Sequence, residues 1–125
     1  MTPSSWLLVA TLFVAFLLLR GKLMSRGIPQ YRSSDVRAKR AAGETVVLLD
    51  VRTAGERSAR SIPGSMHIPL QELPRRLAEL ESSRSAEIVC YCASGARSAS
   101  AARLLKTHGF RAANLAGGIL SWKDA

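Results

Sequence analysis

Glu87-Ile88-Val89-Cys90-Tyr91-Cys92-Ala93-Ser94-Gly95-Ala96-Arg97-Ser98 is the stretch on which the reading of this chain turns. Residues 88–91 form a short, unbroken apolar run, the pattern of a strand buried on both faces in a parallel sheet. The next residues are small and include a glycine. From Ser98 onward, Ala101, Ala102, Leu104 and Leu105 recur at helical spacing until Gly109 closes the run. A buried strand therefore passes through a tight loop directly into a helix.

The same alternation extends both ways. Thr45-Val46-Val47-Leu48-Leu49-Asp50 reads as a second buried strand, residues 55–60 as a helical turn, and residues 66–68 as a short strand after the Ile62-Pro63-Gly64 turn. Pro74 sits where a helix through residue 81 would start, with Leu73, Leu77 and Leu80 on one face. Ser33, Ser34 and Asp35 offer N-cap chemistry for a basic helix ending near Gly43. Residues 112–115 read as a last strand, and Gly117-Gly118 opens a final turn ending at Trp122. Strands that alternate with helices predict an α/β domain with a mostly parallel sheet.

The 125 residues suffice for one such domain, and the N-terminal segment has a different composition. Residues 6–19 are apolar except Thr11, and no charge occurs before Arg20. Seven basic residues and only Asp35 among acids then fall between Arg20 and Arg40. A cleaved signal peptide fits poorly, lacking both a basic start and a small-x-small site. The reading is a membrane anchor over 1–24, a linker over 25–32 and a folded domain over 33–125. The 14-residue run makes a helix of roughly 21 Å, extended to roughly 28 Å by the uncharged residues before it, with Arg20 and Lys22 snorkelling at its end. Positive charge on its C-terminal side predicts a single pass through the cell (inner) membrane with the domain facing the cytoplasm. No aromatic-interleaved basic stripe accompanies the net charge of +9, so nucleic acid is not expected as a partner.

Cys90 and Cys92 are two apart in a strand, share a face and cannot bridge without strain, which points to reduced thiols. Cys92 falls at the carboxyl end of its strand, where open α/β sheets bind ligands. The N–H groups of Ala93, Ser94, Gly95 and Ala96 can curl round its sulfur as an anion nest. The helix from Ser98 adds a positive end, and Arg97 adds a cation. These features should lower the Cys92 pKa and make it a thiolate nucleophile. Residues 93–98 are thus the expected substrate-binding loop.

Four pieces in order resemble the rhodanese homology domain. They are Leu49-Asp50-Val51-Arg52 with Glu56; Ile62-Pro63-Gly64-Ser65 to Ile68-Pro69; Tyr91-Cys92-x-x-Gly95-x-Arg97-Ser98; and Leu115-x-Gly117-Gly118 to Trp122. The resemblance implies a five-stranded sheet flanked by helices, and a sulfurtransferase without cofactor. It implies that Cys92 takes a sulfane sulfur from thiosulfate or a persulfide donor and passes it to cyanide or a thiol. Donor and acceptor could be small molecules or proteins. Related dual-specificity phosphatases carry five residues between Cys and Arg. Here there are four, a loop better closed around sulfur than phosphate. The chain departs from the family pattern at Arg57, Arg60 and Ser61, where the family has an aromatic residue and then Gly-His.

The remaining polar residues read more plainly. Cys90 is a core residue, and Asp50 with Arg52 braces the loops at the sheet edge. His67 and His108 have no partner suggesting base or metal chemistry, and no zinc spacing exists. Trp122 is a packing residue. Two rival functions remain: a non-catalytic interaction module, expected to have lost the cysteine or loop glycine, and a persulfide sensor using Cys92 without turnover.

Overall fold

The computed structural model describes residues 2–25 and 27–123, apart from the side chains of residues 3 and 21–25. Arg26, Asp124 and Ala125, read above as linker and domain termini, lie outside the described residues, as does the Lys22 side chain. Five strands make one fully parallel sheet: β1 (Gln30–Tyr31), β2 (Val46–Asp50), β3 (Met66–His67), β4 (Glu87–Tyr91) and β5 (Arg111–Leu115). Their order is β1-β5-β4-β2-β3. The helices are α1 (Pro3–Ser25), α2 (Ser33–Ala41), α3 (Ala54–Ala59) and α4 (Ala96–Thr107).

The central strands are apolar apart from Asp50, Glu87, Arg111 and Asn114, because both faces are covered. Ile88, Cys90 and Cys92 point with Leu49, Val51 and Ala112 into a core closed by Ala101, Ala102 and Leu105 of α4. Val89 and Tyr91 point the other way, with Val46, Leu48, Ala113 and Leu115, against Val36 of α2 and Ile119. Each strand thus feeds two cores by its period-two alternation.

Several local expectations need correction. Gln30 and Tyr31, read as linker, pair with Asn114 and Leu115 as an edge strand. Two residues are too few to show any periodicity, so β1 carries no local signal. The helix expected over 74–81 is two 3₁₀ stretches, Leu70–Arg75 and Leu77–Ser83, and Pro74 lies inside the first. The cap of α2 is Arg32, whose backbone N–H donates to Asp35 Oδ2 at 2.8 Å. Asp35 therefore acts from the third helical position instead of as the cap. The final turn is a 3₁₀ stretch, Ile119–Ser121.

The membrane reading is also overturned. Among the described residues, no helix is long and apolar enough to cross a membrane. The strictly apolar run of about 21 Å falls short of a hydrocarbon core of about 30 Å, and Arg20 interrupts it before the helix ends. The proposed anchor, its membrane partnership and the cytoplasm-facing inner-membrane location therefore do not stand. The large apolar side chains of α1, from Trp6 to Leu19, are exposed.

Candidate active site

The β4–α4 junction builds the site. β4 ends at Tyr91, and Gly95 turns the chain with φ +113°, a conformation open chiefly to glycine. α4 begins at the next residue, so Ala96, Arg97 and Ser98 form its first turn. Cys92 is therefore held beneath a helix N-terminus, with only 1% of its surface exposed. Its Sγ accepts the Gly95 backbone N–H at 3.1 Å and lies 3.3 Å from Ser98 Oγ. Burial would push the thiol up. The Ser98 hydroxyl and the backbone N–H groups of Ser98, Gly95 and Ser94 outweigh it, and the net shift is downward. Cys90 has no such donors; burial and the neighbouring Cys92 push its thiol well above the ordinary range.

Arg97 does not spend its charge mainly on the sulfur. Its guanidinium makes a two-point pair with Glu56, at 2.7 and 2.9 Å. Glu56 also accepts from the backbone N–H and hydroxyl of Thr53, the cap of α3, at 3.2 and 3.1 Å. Arg97 above all, against the opposing effect of burial and with help from Thr53, brings Glu56 down to about 2. Arg97 is thus the tie between α3 and the cysteine loop.

Arg52 meets the wholly buried Asp50 through Nε and Nη2, both at 2.9 Å. Burial favours the neutral acid, yet the Arg52 contacts and the Tyr91 hydroxyl at 3.1 Å bring Asp50 below its usual range. Arg57 is turned inward, donating to Ser65 Oγ at 2.7 Å and the Ser65 carbonyl at 2.8 Å, with Asp50 at 3.4 Å. It is therefore a packing cation and not one offered to a donor. Arg60 is exposed, Ser61 is half-buried, and the Arg60 carbonyl receives the Arg52 guanidinium. His67 Nε2 donates to the Arg52 carbonyl at 2.8 Å, and His108 Nδ1 lies 3.0 Å from the Leu104 carbonyl. Among the described residues, no cluster of His, Cys, Asp or Glu could hold a metal.

Two supports escaped the sequence reading. Asn114, on β5, contacts Ser98 Oγ at 2.6 Å and donates to the Gly95 carbonyl at 3.1 Å. An amide among Ala112, Ala113 and Leu115 was the available signal, since a polar side chain in an apolar strand must find partners. The second is how closely the C-terminal segment approaches the loop. Ile119 N–H donates to the Cys92 carbonyl at 2.9 Å and Leu120 N–H to the Ala93 carbonyl at 3.2 Å. An open groove of about 740 Å³ lies alongside, lined by Arg32, Arg37, Lys123 and Trp122 among others; Cys92 does not line it.

Comparison with known proteins agrees with this architecture. The Rhodanese-like domain family matches residues 33–125. A sulfurtransferase of Allochromatium vinosum is 37% identical over 91 residues, 72% of this chain and 83% of the relative. Human thiosulfate:glutathione sulfurtransferase is 32% identical over 111 residues, 78% and 96% of the two chains. The crystal structure of a rhodanese-like domain protein from Staphylococcus aureus superposes with a TM-score of 0.69 at 28% identity, covering 77% of this chain and 92% of that one.

Proposed function

This chain belongs to the rhodanese-like domain family and is a sulfurtransferase; we propose that it works through a persulfide on Cys92. The Cys92 thiolate attacks the outer sulfur of thiosulfate, the sulfur–sulfur bond breaks, and sulfite leaves with the bonding pair. A thiolate acceptor then attacks the terminal sulfur of the persulfide, carries it off as its own persulfide and returns Cys92 as thiolate. Cyanide would take the same sulfur as thiocyanate. A persulfide donor enters by the same first step and leaves as a thiolate.

The observation that carries this reading is the convergence of backbone N–H groups on one sulfur at a helix N-terminus. Such donors stabilise the attacking thiolate and then the anionic outer sulfur, without moving between the two. Residues 93–98 are the loop that would hold the transferred atom, while Asp50 and Arg52 fix Tyr91, the residue before Cys92, and the Arg60 carbonyl. Thiosulfate as donor and a thiol as acceptor are supported by the human relative named for both.

The test is intact-mass measurement of the full-length protein after incubation with thiosulfate or glutathione persulfide. Wild type and Cys90→Ser should each gain one sulfur, and Cys92→Ser none. Equal labelling of Cys92→Ser, or no adduct with either donor, would remove Cys92 from this role.

A further inference from the structure

Ser98 has a single hydroxyl proton and two acceptors. Asn114 Oδ1 lies 2.6 Å from Ser98 Oγ, and Cys92 Sγ lies 3.3 Å from it. The Asn114 amide cannot turn round to relieve this competition. Its nitrogen donates to the Gly95 carbonyl at 3.1 Å and to Gln30 Oε1 at 2.9 Å. A flipped amide would set oxygen against the Gly95 carbonyl, which has no proton to give. Oδ1 is therefore committed to the Ser98 side, and two oxygens at 2.6 Å need a proton between them.

We propose, on the reading of Cys92 as nucleophile, that Asn114 is a positioning residue that holds the Ser98 proton whenever Sγ is uncharged. Ionisation of Sγ changes the balance, because a charged acceptor binds a hydroxyl proton more strongly than an amide oxygen does. The hydroxyl then turns to sulfur, and Oδ1 loses its donor in a site where Asn114 is only 3% exposed. Ser98 thus helps the thiolate by less than a free hydroxyl would. In the persulfide, the charge sits on the outer sulfur, so the proton returns to Asn114. The pair keeps the thiolate from being over-stabilised; the intrinsic nucleophilicity of the ionised sulfur falls as its thiol becomes more acidic, by less than the accompanying gain in ionised fraction near neutral pH.

The test is a double-mutant cycle between Ser98→Ala and Asn114→Leu in the full chain. Its readout is the pH dependence of iodoacetamide alkylation, located at Cys92 by fragmentation mass spectrometry. The cycle cancels what Asn114 does to the Gly95 carbonyl, because that loss is common to both Asn114→Leu arms. At pH 7, Ser98→Ala should slow alkylation at least about twofold more in the Asn114→Leu background than in wild type. The difference should fall away at high pH, where all forms are ionised and only the weaker, opposite effect on intrinsic nucleophilicity is left. Asn114→Ala, which only deletes atoms, replaces Asn114→Leu if leucine lowers the melting temperature.

Additive effects, or a pH-independent loss, overturn the proposal. Because alkylation needs no sulfur donor, such a result leaves the sulfurtransferase mechanism standing. Conversely, failure of thiosulfate labelling with a normal cycle would count against that mechanism alone.

Discussion

Gly118 is where a single added carbon should do most harm. Its backbone has φ +59° and ψ −157°, a region essentially reserved for glycine, and forcing another residue there costs about 1–3 kcal/mol. A Cβ at this position would also lie 2.5 Å from the Cys92 carbonyl oxygen and from the Ala93 carbonyl carbon. No rotamer relieves that overlap, because both sides are backbone. The 3₁₀ segment would have to draw away from the cysteine loop, losing the Ile119–Cys92 and Leu120–Ala93 hydrogen bonds. At about 0.5–1.5 kcal/mol each, these bring the loss for Gly118→Ala to about 2–6 kcal/mol. That is a large share of the about 5–15 kcal/mol available to a domain. Thermal unfolding by circular dichroism should show a melting temperature lower by at least about 10 °C, and persulfide formation should slow because the loop carbonyls have moved. Gly64 and Gly55 supply the comparison. Gly64 has φ +80° but open space around its Cβ, so alanine there should cost only the strain of about 1–2 kcal/mol. Gly55, in α3, has neither constraint, and alanine should stabilise by about 0.5–1 kcal/mol. A Gly118→Ala protein no less stable than Gly64→Ala would refute the argument from close approach.

Two further outcomes follow from the ion pairs. Glu56 falls to about 2 in the folded protein, below its ordinary 4.5, so its pairing stabilises above about pH 4.5 and the contribution is lost as pH drops through about 2. Because the pair is about one-third exposed, Glu56→Gln should cost only about 1 kcal/mol at pH 7 by urea titration. The gap should narrow as pH falls below about 4.5 and close below about pH 2, and an unchanged gap across that range would sink the assignment. Arg52→Ala leaves the buried Asp50 with Arg57, at 3.4 Å, as its one cation among the described residues, and should destabilise by about 3 kcal/mol; a loss below about 1 kcal/mol would show that Arg57, Tyr91 and the backbone N–H of residue 52 carry the carboxylate without the guanidinium.

The chain's own order of residues announced more of the site than of its supports. The strands β2 and β4 were legible because burial on both faces leaves an unbroken apolar run, and the helix after Gly95 because its small and apolar residues repeat at helical spacing. The same patterns misled at the N-terminus, where a run apolar on every side suggested a membrane that its length does not reach. Pro74 misled as well, because a proline at a helix start and one inside a 3₁₀ turn look alike locally.

Sequence alone determined the parallel α/β class, the place of Cys92 at a strand end and the donors curling round it. The class follows from local apolar patterning, and the rest from contacts between residues three to six apart. Tertiary structure alone decided that Arg97 belongs to Glu56, that Arg57 turns inward to Ser65 and Asp50, that β1 exists, and that Asn114 reaches both Ser98 and Gly95. Arg97 and Glu56 are 41 residues apart, and Asn114 is 16 and 19 residues from Ser98 and Gly95, so no local spacing encodes these contacts. Arg57 is near Asp50 and Ser65 in the chain but faces both only where β2 and β3 pair, and Asn114 reaches the cysteine loop because the sheet order places β5 beside β4 and seats α4 across both strands.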